Sequence, residues 1–198
     1  MVRADSNIQT LDDLSGHTVS IGAEESGTER NATQILEFAG MPSSLVATKN
    51  LDYIEATKEL KAGDIDAFFC TAGLTTTVID ELSKECDIRL IPLTDTVISK
   101  MLESSSAYTS EVIPAGTYTG QDTAISTIGV KSVLITKSDV SDDTIEQLTS
   151  LLFEKENELS YSNSLKLELT YDFATDGIPI PFHNGAKRYY EDCGYSIN

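Results

Sequence analysis

The sequence predicts an α/β protein with an open, mostly parallel sheet, and two observations support this class. In the first half of the chain, short apolar runs of β-type residues alternate with amphipathic helical patterns. Gly40 and Gly63 stand where the first two helical patterns stop, as glycine often does at a helix end. Regular alternation of strand and helix is typical of a sheet whose parallel strands are connected by helices.

The elements of the first half follow from apolar periodicity together with cap and stop signals. Pro42 lies just beyond Gly40 and prevents the first helix from continuing. The predicted strands are residues 18–21, 45–48, 65–70 and 88–91, and the predicted helices are residues 28–39, 52–62, 75–84 and 94–103.

The second half has a different pattern. Residues 104–121 are rich in Ser, Thr, Gly and Tyr and predict a loop or an irregular strand. Residues 125–136 predict a long strand, with a length that suits a passage from one lobe to another. Ser141 is predicted to cap a helix over 142–158, and a proline-rich turn at 177–182 precedes a short final helix near 185–192.

The composition is that of an ordinary globular protein, but the charge is not. The 198 residues are 40% hydrophobic and 23% charged, with a formal net charge of −18. This charge argues against binding to nucleic acid or to an anionic membrane surface. The net charge most simply indicates a well-solvated surface, and such a surface can still contain a local positive pocket. No apolar run is long enough to span a membrane, and none follows Arg3 as a signal peptide would require.

No catalytic or metal-binding pattern is present in the sequence. The three cysteines are far apart without a CxxC spacing, and Cys70 lies in an apolar segment that predicts a packed thiol. His17 and His183 are the only histidines and fit no ligand or catalytic spacing. We therefore expect neither a metal nor a cofactor, and we expect that the protein is not an enzyme.

Residues 19–36 read as a strand, a glycine-containing turn and a helix that Ser26 or Thr28 can cap. A helix that begins in this way presents unpaired backbone N–H groups and a partial positive charge, which together attract an anion. The turn lacks the lysine of a P-loop and the GxGxxG pattern of a dinucleotide site. The alternative, a strand-to-helix turn that is capped but binds no ligand, fits the sequence equally well.

A second turn, at residues 69–75, ends one predicted strand and begins the next helix. Ligands of open α/β sheets bind at the carboxyl ends of the strands, so this turn is a candidate wall of the same pocket. Tyr108 and Tyr118 are candidates to line a cleft through their hydroxyl groups. The alternative for the turn is a strand end packed in the core, and the alternative for the two tyrosines is packing in the core or on the surface.

Several short segments, in a fixed order, resemble one known family. They include SGTE at 26–29, GDIDAFF at 63–69, IPAGTY at 113–118 and DGIPIPFH at 176–183. Together they resemble the TAXI family, the solute-binding subunits of one class of TRAP transporters. The similarity runs from about residue 2 to residue 194. The chain departs from the family pattern at Glu24 and Glu25, where a neutral pair is usual.

The resemblance implies a periplasmic-binding-protein type II-like fold that closes on a small organic anion such as glutamate, glutamine or 2-oxoglutarate. It implies a complete α/β lobe over residues 14–125 and only the C-terminal part of a second lobe over 126–198. It also implies that three groups of residues bind or border the ligand: Ser26, Gly27 and Thr28 on its carboxylate, Ala72 and Gly73 near it, and Pro114, Thr117 and Tyr118 at the cleft or hinge.

The resemblance further implies an extracytoplasmic location and TRAP-transporter membrane subunits as partners. Relatives carry an additional N-terminal segment, so we expect the partial lobe to expose apolar faces and unpaired edges that self-association could cover. The alternative is a cytoplasmic ligand-sensing effector-binding domain on the same fold. A helix-turn-helix or a basic patch would accompany such a domain, and the sequence shows neither.

Overall fold

The computed structural model describes residues 1–154 and 169–197 and has two compact units. The first unit is Met1–Gly129, and the second begins at Val130. The first unit starts before residue 14 because β1 (Val2–Arg3) belongs to its sheet. The assignment of 14–125 as a complete lobe and of 126–198 as part of another stays a prediction.

The main sheet of the first unit has the strand order β3-β2-β4-β1-β5. The strands that follow β1 are β2 (Thr18–Ser20), β3 (Ala47–Lys49), β4 (Ala67–Phe68) and β5 (Ile88–Arg89). Strand β2 pairs in parallel with β3 and with β4, so that Val19 lies opposite Thr48 on one side and Ala67 on the other. The predicted α/β class with a parallel-strand sheet is confirmed.

Strand β1 is the element of this sheet that sequence patterns did not predict. It lies between β4 and β5 and runs antiparallel to both. The segment after it is held by Arg89, whose guanidinium donates to the carbonyls of Ser6 at 3.2 Å and Ile8 at 3.0 Å. A two-residue strand is too short for a periodicity signal, and its place depends on contacts with residues more than 60 positions away.

The helices of the first unit agree with the predictions to within two residues. They are α1 (Gly27–Phe38), α2 (Tyr53–Ala62), α3 (Thr77–Glu85) and α4 (Asp95–Ser104), and a 3-10 helix, Asp12–Leu14, precedes β2. Helix α2 has a complete capping box between Asp52 and Glu55 and ends at Gly63, whose φ is 81°. Local sequence signals therefore set these helix limits.

Two apolar clusters lie on opposite faces of the sheet. Val19 and Ala67 belong to the cluster that contains α1 and α4, whereas Phe68 belongs to the cluster that contains α2 and α3. This separation follows from the pleat, because neighbouring residues of a strand point to opposite faces. Strands β2 and β4 are thereby buried on both faces, as in other parallel sheets, whereas Ala47 and Thr48 of the edge strand β3 are exposed.

Strands β6 (Tyr108–Ile113) and β7 (Ile125–Val130) form a separate two-stranded sheet. The prediction of a loop or irregular strand over 104–121 is thus corrected, because residues 108–113 form a regular strand. The prediction of a strand over 125–136 is wrong beyond Val130, since residues 131–136 have no regular secondary structure. Strand β6 supplies only six residues for pairing, and strand propensity without a partner does not form a strand.

The second unit is built on α5 (Asp142–Glu154), α6 (Tyr171–Thr175) and α7 (Asn184–Asp192). Ser141 Oγ accepts the Thr144 N–H at 3.3 Å, which confirms the predicted cap of α5. Residues 155–158 of the predicted helix lie outside the described residues. The final helix agrees with its prediction, while α6 was not predicted because its five residues are too few for a periodic pattern.

Close contact between α5 and α7 depends on Gly185. A Cβ at this position would overlap the Asp142 carbonyl and lie 2.9 Å from Glu146 N. Arg188 Nη2 makes 2.7 Å ion pairs with Asp143 and Glu146 across the same helix pair. Phe153 stacks on Tyr171 with ring centroids 4.5 Å apart. Backbone approach, ion pairs and aromatic packing together hold the described part of this unit.

We expect Gly185→Ala to lower the free energy of unfolding by about 1–3 kcal/mol, because the added methyl overpacks the contact between α5 and α7. The matched control is Asn184→Ala, an exposed position in the same helix, which should change stability by less than about 0.5 kcal/mol. Urea denaturation followed by circular dichroism measures both. Equal stabilities for the two variants would contradict the proposed packing constraint.

Candidate functional site

The candidate site lies at the carboxyl edge of the parallel strands in the first unit. The loops after β2, β3 and β4 comprise residues 21–26, 50–52 and 69–76, and their strands are neighbours in the sheet. The carboxyl ends of parallel strands share one edge, which is where ligands bind in open α/β sheets. The structure therefore brings the two predicted turns, 22–28 and 69–75, to the same side of the sheet.

The turn after β2 requires glycine at position 22. Gly22 has a φ of 102°, and a Cβ there would lie 2.7 Å from Thr28 Cβ. Asn50 from the next loop fastens this turn, since its side-chain amide donates to the Gly22 carbonyl at 3.0 Å and to Glu29 Oε1 at 2.8 Å. The end of β2 is thereby held close to the first turn of α1.

Ser26 is the N-cap of α1. Its Oγ accepts the Glu29 N–H at 3.1 Å, which resolves the choice between Ser26 and Thr28. The Glu29 side chain makes a second hydrogen bond in this turn, in which its Oε2 accepts the Glu25 N–H at 2.6 Å. Glu25 has a φ of 60°, an uncommon value for a residue other than glycine. The carboxylate of Glu29 thus binds backbone and Asn50, while Glu24 and Glu25 are exposed.

The Thr28 hydroxyl makes a hydrogen bond within the protein. It is 5% exposed, and its Oγ1 lies 2.6 Å from the Tyr53 hydroxyl. Tyr53 donates its single hydroxyl proton to the Thr71 carbonyl at 2.8 Å. The Thr28 hydroxyl must therefore donate to Tyr53. Thr28 can offer a ligand its backbone N–H but no hydroxyl proton.

Three hydrogen-bond donors remain at the start of α1. They are the hydroxyl proton of Ser26 and the backbone N–H groups of Gly27 and Thr28, which no hydrogen bond among the described residues uses. The positive end of the helix dipole lies at the same place. This arrangement can hold a carboxylate.

The loop after β4 approaches these donors through two side chains. Tyr53 binds both backbone groups of Thr71, with its oxygen 3.3 Å from Thr71 N, and Asn31 of α1 donates to Thr71 Oγ1 at 3.2 Å. Ala72 and Gly73, the next two residues, are exposed. Sequence reasoning missed Tyr53 because only the pairing of β2 with β3 brings the first residue of α2 beside α1.

Tyr108 connects the same helix to strand β6. Its hydroxyl lies 2.8 Å from the side-chain oxygens of Asn31 and Gln34. Since Asn31 also binds Thr71, a continuous set of hydrogen bonds runs from the loop after β4, through α1, to the start of β6. The Tyr108 hydroxyl is thus engaged with α1.

The turn at 114–121 is organised by its own contacts. Thr117 Oγ1 donates to the Pro114 carbonyl at 2.7 Å, and the buried Gln121 side chain donates to the same carbonyl at 2.9 Å. Tyr118 is 6% exposed and packs in the cluster that contains Phe68. Burial raises the pKa of Tyr118, while hydrogen bonds from backbone N–H groups of Thr75 and Thr76 act in the opposite direction. Tyr118 therefore supports the loop before α3 through hydrogen bonds with the backbone of Thr75 and Thr76.

Neither a metal site nor a membrane helix is found in the described ranges, 1–154 and 169–197. No group of three or more His, Cys, Asp or Glu residues there has the arrangement of a metal site. No helix in that part of the chain combines the length and apolar character needed to cross a membrane.

Cys70 lies in the loop after β4, within the candidate site. Burial raises the pKa of Cys70 to about 11, so the thiol is protonated throughout the neutral range. Cys193, in contrast, is exposed. Thiolate is the reactive form of cysteine, so the two thiols should differ in reactivity.

We expect iodoacetamide at pH 8 to modify Cys193 well before Cys70. Raising the pH to 10 should accelerate Cys70 modification about 100-fold, because the thiolate fraction rises tenfold per pH unit below the pKa. Mass spectrometry of digested samples measures both sites, and circular dichroism verifies that the fold persists at each pH. Equal rates for the two cysteines at pH 8 would contradict the burial of Cys70.

Comparison with known families and with solved structures finds similar proteins in both. The model of the NMT1-like family matches residues 1–194. The crystal structure of the periplasmic aliphatic sulphonate binding protein SsuA from Escherichia coli is similar with a TM-score of 0.41 and 16% sequence identity. The similarity covers 96% of this chain and 53% of that one, so the chain spans about half the length of that protein.

Proposed function

The chain belongs to the NMT1-like family, and we propose that it is a solute-binding protein, or a portion of one, for a small organic anion. The sequence resemblance to the TAXI family of TRAP-transporter subunits supports this function. On this proposal the protein works outside the cytoplasm, binds the anion without changing it and delivers it to TRAP membrane subunits.

The observation that carries the proposal is the set of donors at the start of α1. The Ser26 hydroxyl and the N–H groups of Gly27 and Thr28 stand at the positive end of a 12-residue helix, beside the loop that contains Ala72 and Gly73. A hydrogen bond to a charged group contributes about 1.5–3 kcal/mol, and the helix dipole adds about 0.3–1 kcal/mol. Two or three such contacts acting together favour a carboxylate over a neutral group at this end of the helix.

The charges of the three loops around these donors favour a ligand that carries an ammonium group beside its carboxylate. The loops 21–26, 50–52 and 69–76 contain Glu24, Glu25 and Asp52 and no Lys, Arg or His. A second carboxylate on the ligand would meet these negative side chains, whereas an ammonium group would be attracted by them. Glutamine has one carboxylate and an ammonium group, whereas glutamate has both an ammonium group and a second carboxylate. We therefore propose glutamine first and glutamate second, ahead of 2-oxoglutarate and succinate, which have two carboxylates and no ammonium group.

The proposal is tested by thermal-shift and calorimetric titration with L-glutamine, L-glutamate, 2-oxoglutarate and succinate. A ligand at about 100 times its Kd should stabilise the protein by roughly 2.7 kcal/mol, and we expect this for an amino acid. Selective stabilisation by 2-oxoglutarate or succinate, which have no ammonium group, would refute the charge argument. No heat and no shift with any of the four would argue against the proposed function.

Ser26→Ala should weaken binding of that carboxylate about tenfold, because one donor is lost. It should also lower the free energy of unfolding by about 1 kcal/mol through loss of the α1 cap. Ser141→Ala is the matched control, since it removes the equivalent cap of α5 with a similar cost in stability and should leave affinity unchanged. Equal affinities of the Ser26 and Ser141 variants, measured by calorimetry, would contradict the assigned site.

We also propose that the second unit mediates self-association. Leu134 and Ile135 are 70% and 72% exposed and lie in the irregular segment that follows β7. Ile135 is β-branched and favours strands, and two adjacent exposed apolar side chains provide a surface that a second chain can cover. The net charge of −18 opposes association, so salt should promote it by screening.

Sedimentation velocity should show a dimer fraction that rises with protein concentration and with salt. The double variant Leu134→Lys with Ile135→Lys should remain monomeric, because the apolar strip is removed. The matched control is Leu45→Lys with Ile54→Lys, which changes two exposed apolar residues of the first unit and should preserve association. A single monomeric species of the unmodified chain under every condition would refute the proposal.

A further inference from the structure

We propose that Tyr53 is the positioning residue of the candidate site, because its hydroxyl holds the loop Thr71–Gly73 against the first turn of α1. The inference rests on the proposed binding function for its effect on affinity. Its effect on the loop is independent of any ligand.

The Tyr53 hydroxyl joins three elements. It belongs to α2, receives the Thr28 hydroxyl proton at 2.6 Å from α1, and donates to the Thr71 carbonyl at 2.8 Å. The Thr71 N–H lies 3.3 Å from the same oxygen. A phenol hydroxyl has one proton and two acceptor positions, so its hydrogen-bonding capacity is fully used. Tyr53 therefore acts through Thr71 and Thr28 and has no hydrogen bond left for a ligand.

Tyr53 is a rigid anchor, whereas the loop that it binds is exposed. Helix α2 begins with the Asp52–Glu55 capping box and is fixed by the buried residues Ala56 and Leu60. In the loop, Ala72, Gly73 and Leu74 are exposed. The Thr71 side chain has one further tie, to Asn31 at 3.2 Å. The Tyr53 hydroxyl therefore holds the backbone at Thr71, where the exposed stretch begins, whereas Tyr118 supports the other end of the loop at Thr75 and Thr76.

This arrangement matters for binding because a ligand between α1 and residues 72–73 must meet both at once. A loop that is already held in place loses little conformational freedom on binding, so affinity increases without a new ligand contact. Thr28 has a double role on this view: its hydroxyl fixes Tyr53, and its backbone N–H remains available for the anion.

The first experiment measures backbone hydrogen exchange of residues 69–76 by mass spectrometry in the ligand-free protein. Tyr53→Phe and Thr28→Val should each accelerate exchange in this segment about tenfold, as expected for loss of one or two hydrogen bonds. Thr28→Ser keeps the hydroxyl and should exchange like the unmodified protein. Tyr189→Phe is the matched control, because it removes a hydroxyl 3.3 Å from that of Tyr171 in the second unit and should leave this segment unchanged.

The double variant Tyr53→Phe with Thr28→Val tests whether the two hydroxyls affect the loop through the same hydrogen bond. We expect it to exchange no faster than either single variant. Unchanged exchange in Tyr53→Phe would overturn the inference. Equal acceleration in Thr28→Ser and Thr28→Val would also overturn it, because packing of the Thr28 side chain would then be the cause.

The second experiment compares affinities by calorimetry with L-glutamine and L-glutamate. Tyr53→Phe and Thr28→Val should weaken binding about tenfold, and Thr28→Ser should restore it. Full affinity in Tyr53→Phe despite accelerated exchange would overturn the role in binding. If the unmodified protein binds neither amino acid and neither dicarboxylate, the proposed function fails, while the exchange data still decide whether Tyr53 holds the loop.

Discussion

The parallel hydrogen bonding of β2 to β3 and β4 is the constraint on which the rest of the first unit depends. Three residues, Thr18–Ser20, pair with a strand on each side, and this pairing directs three loops to one edge. The same strand separates the two apolar clusters, since Val19 faces one of them and its neighbours face the other way. Loss of this register would separate the candidate donors from the loop after β4.

Close approach of backbone segments extends this constraint to the site. Gly22 permits the end of β2 to touch Thr28, and Asn50 locks the turn from the neighbouring loop. Glu29, which lies in the first turn of α1, is bound to Asn50 and to the Glu25 N–H. Its carboxylate therefore reinforces the turn, while the Gly27 N–H stays at the exposed end of the helix. The carboxylate of Glu29 is therefore bound by protein groups and does not compete with an anion at the proposed site.

The second unit relies on a different set of interactions. Its described helices are held by the contact at Gly185, the Arg188 ion pairs and rings such as Phe153 and Tyr171. His183 assists, since its Nδ1 accepts the Gly185 N–H at 3.1 Å while Nε2 lies 3.1 Å from the Val140 carbonyl. His183 is thus the N-cap of α7, with Asp142 Oδ1 3.8 Å from the same Nδ1. The unit still exposes large apolar side chains, Leu134 and Ile135 above all.

The sequence by itself determined the α/β class, the four helices of the first unit, the cap of α5 and the glycine turn at 22–27. Each of these depends on signals within a few residues, such as Ser26 with Glu29 or Asp52 with Glu55. Only the tertiary structure decided the insertion of β1, the end of β7 at Val130, the burial of Tyr118 and the contact of Tyr53 with Thr28 and Thr71. These depend on pairing between distant segments, and a side chain's partners there are set by strand order and register, which local patterns do not encode.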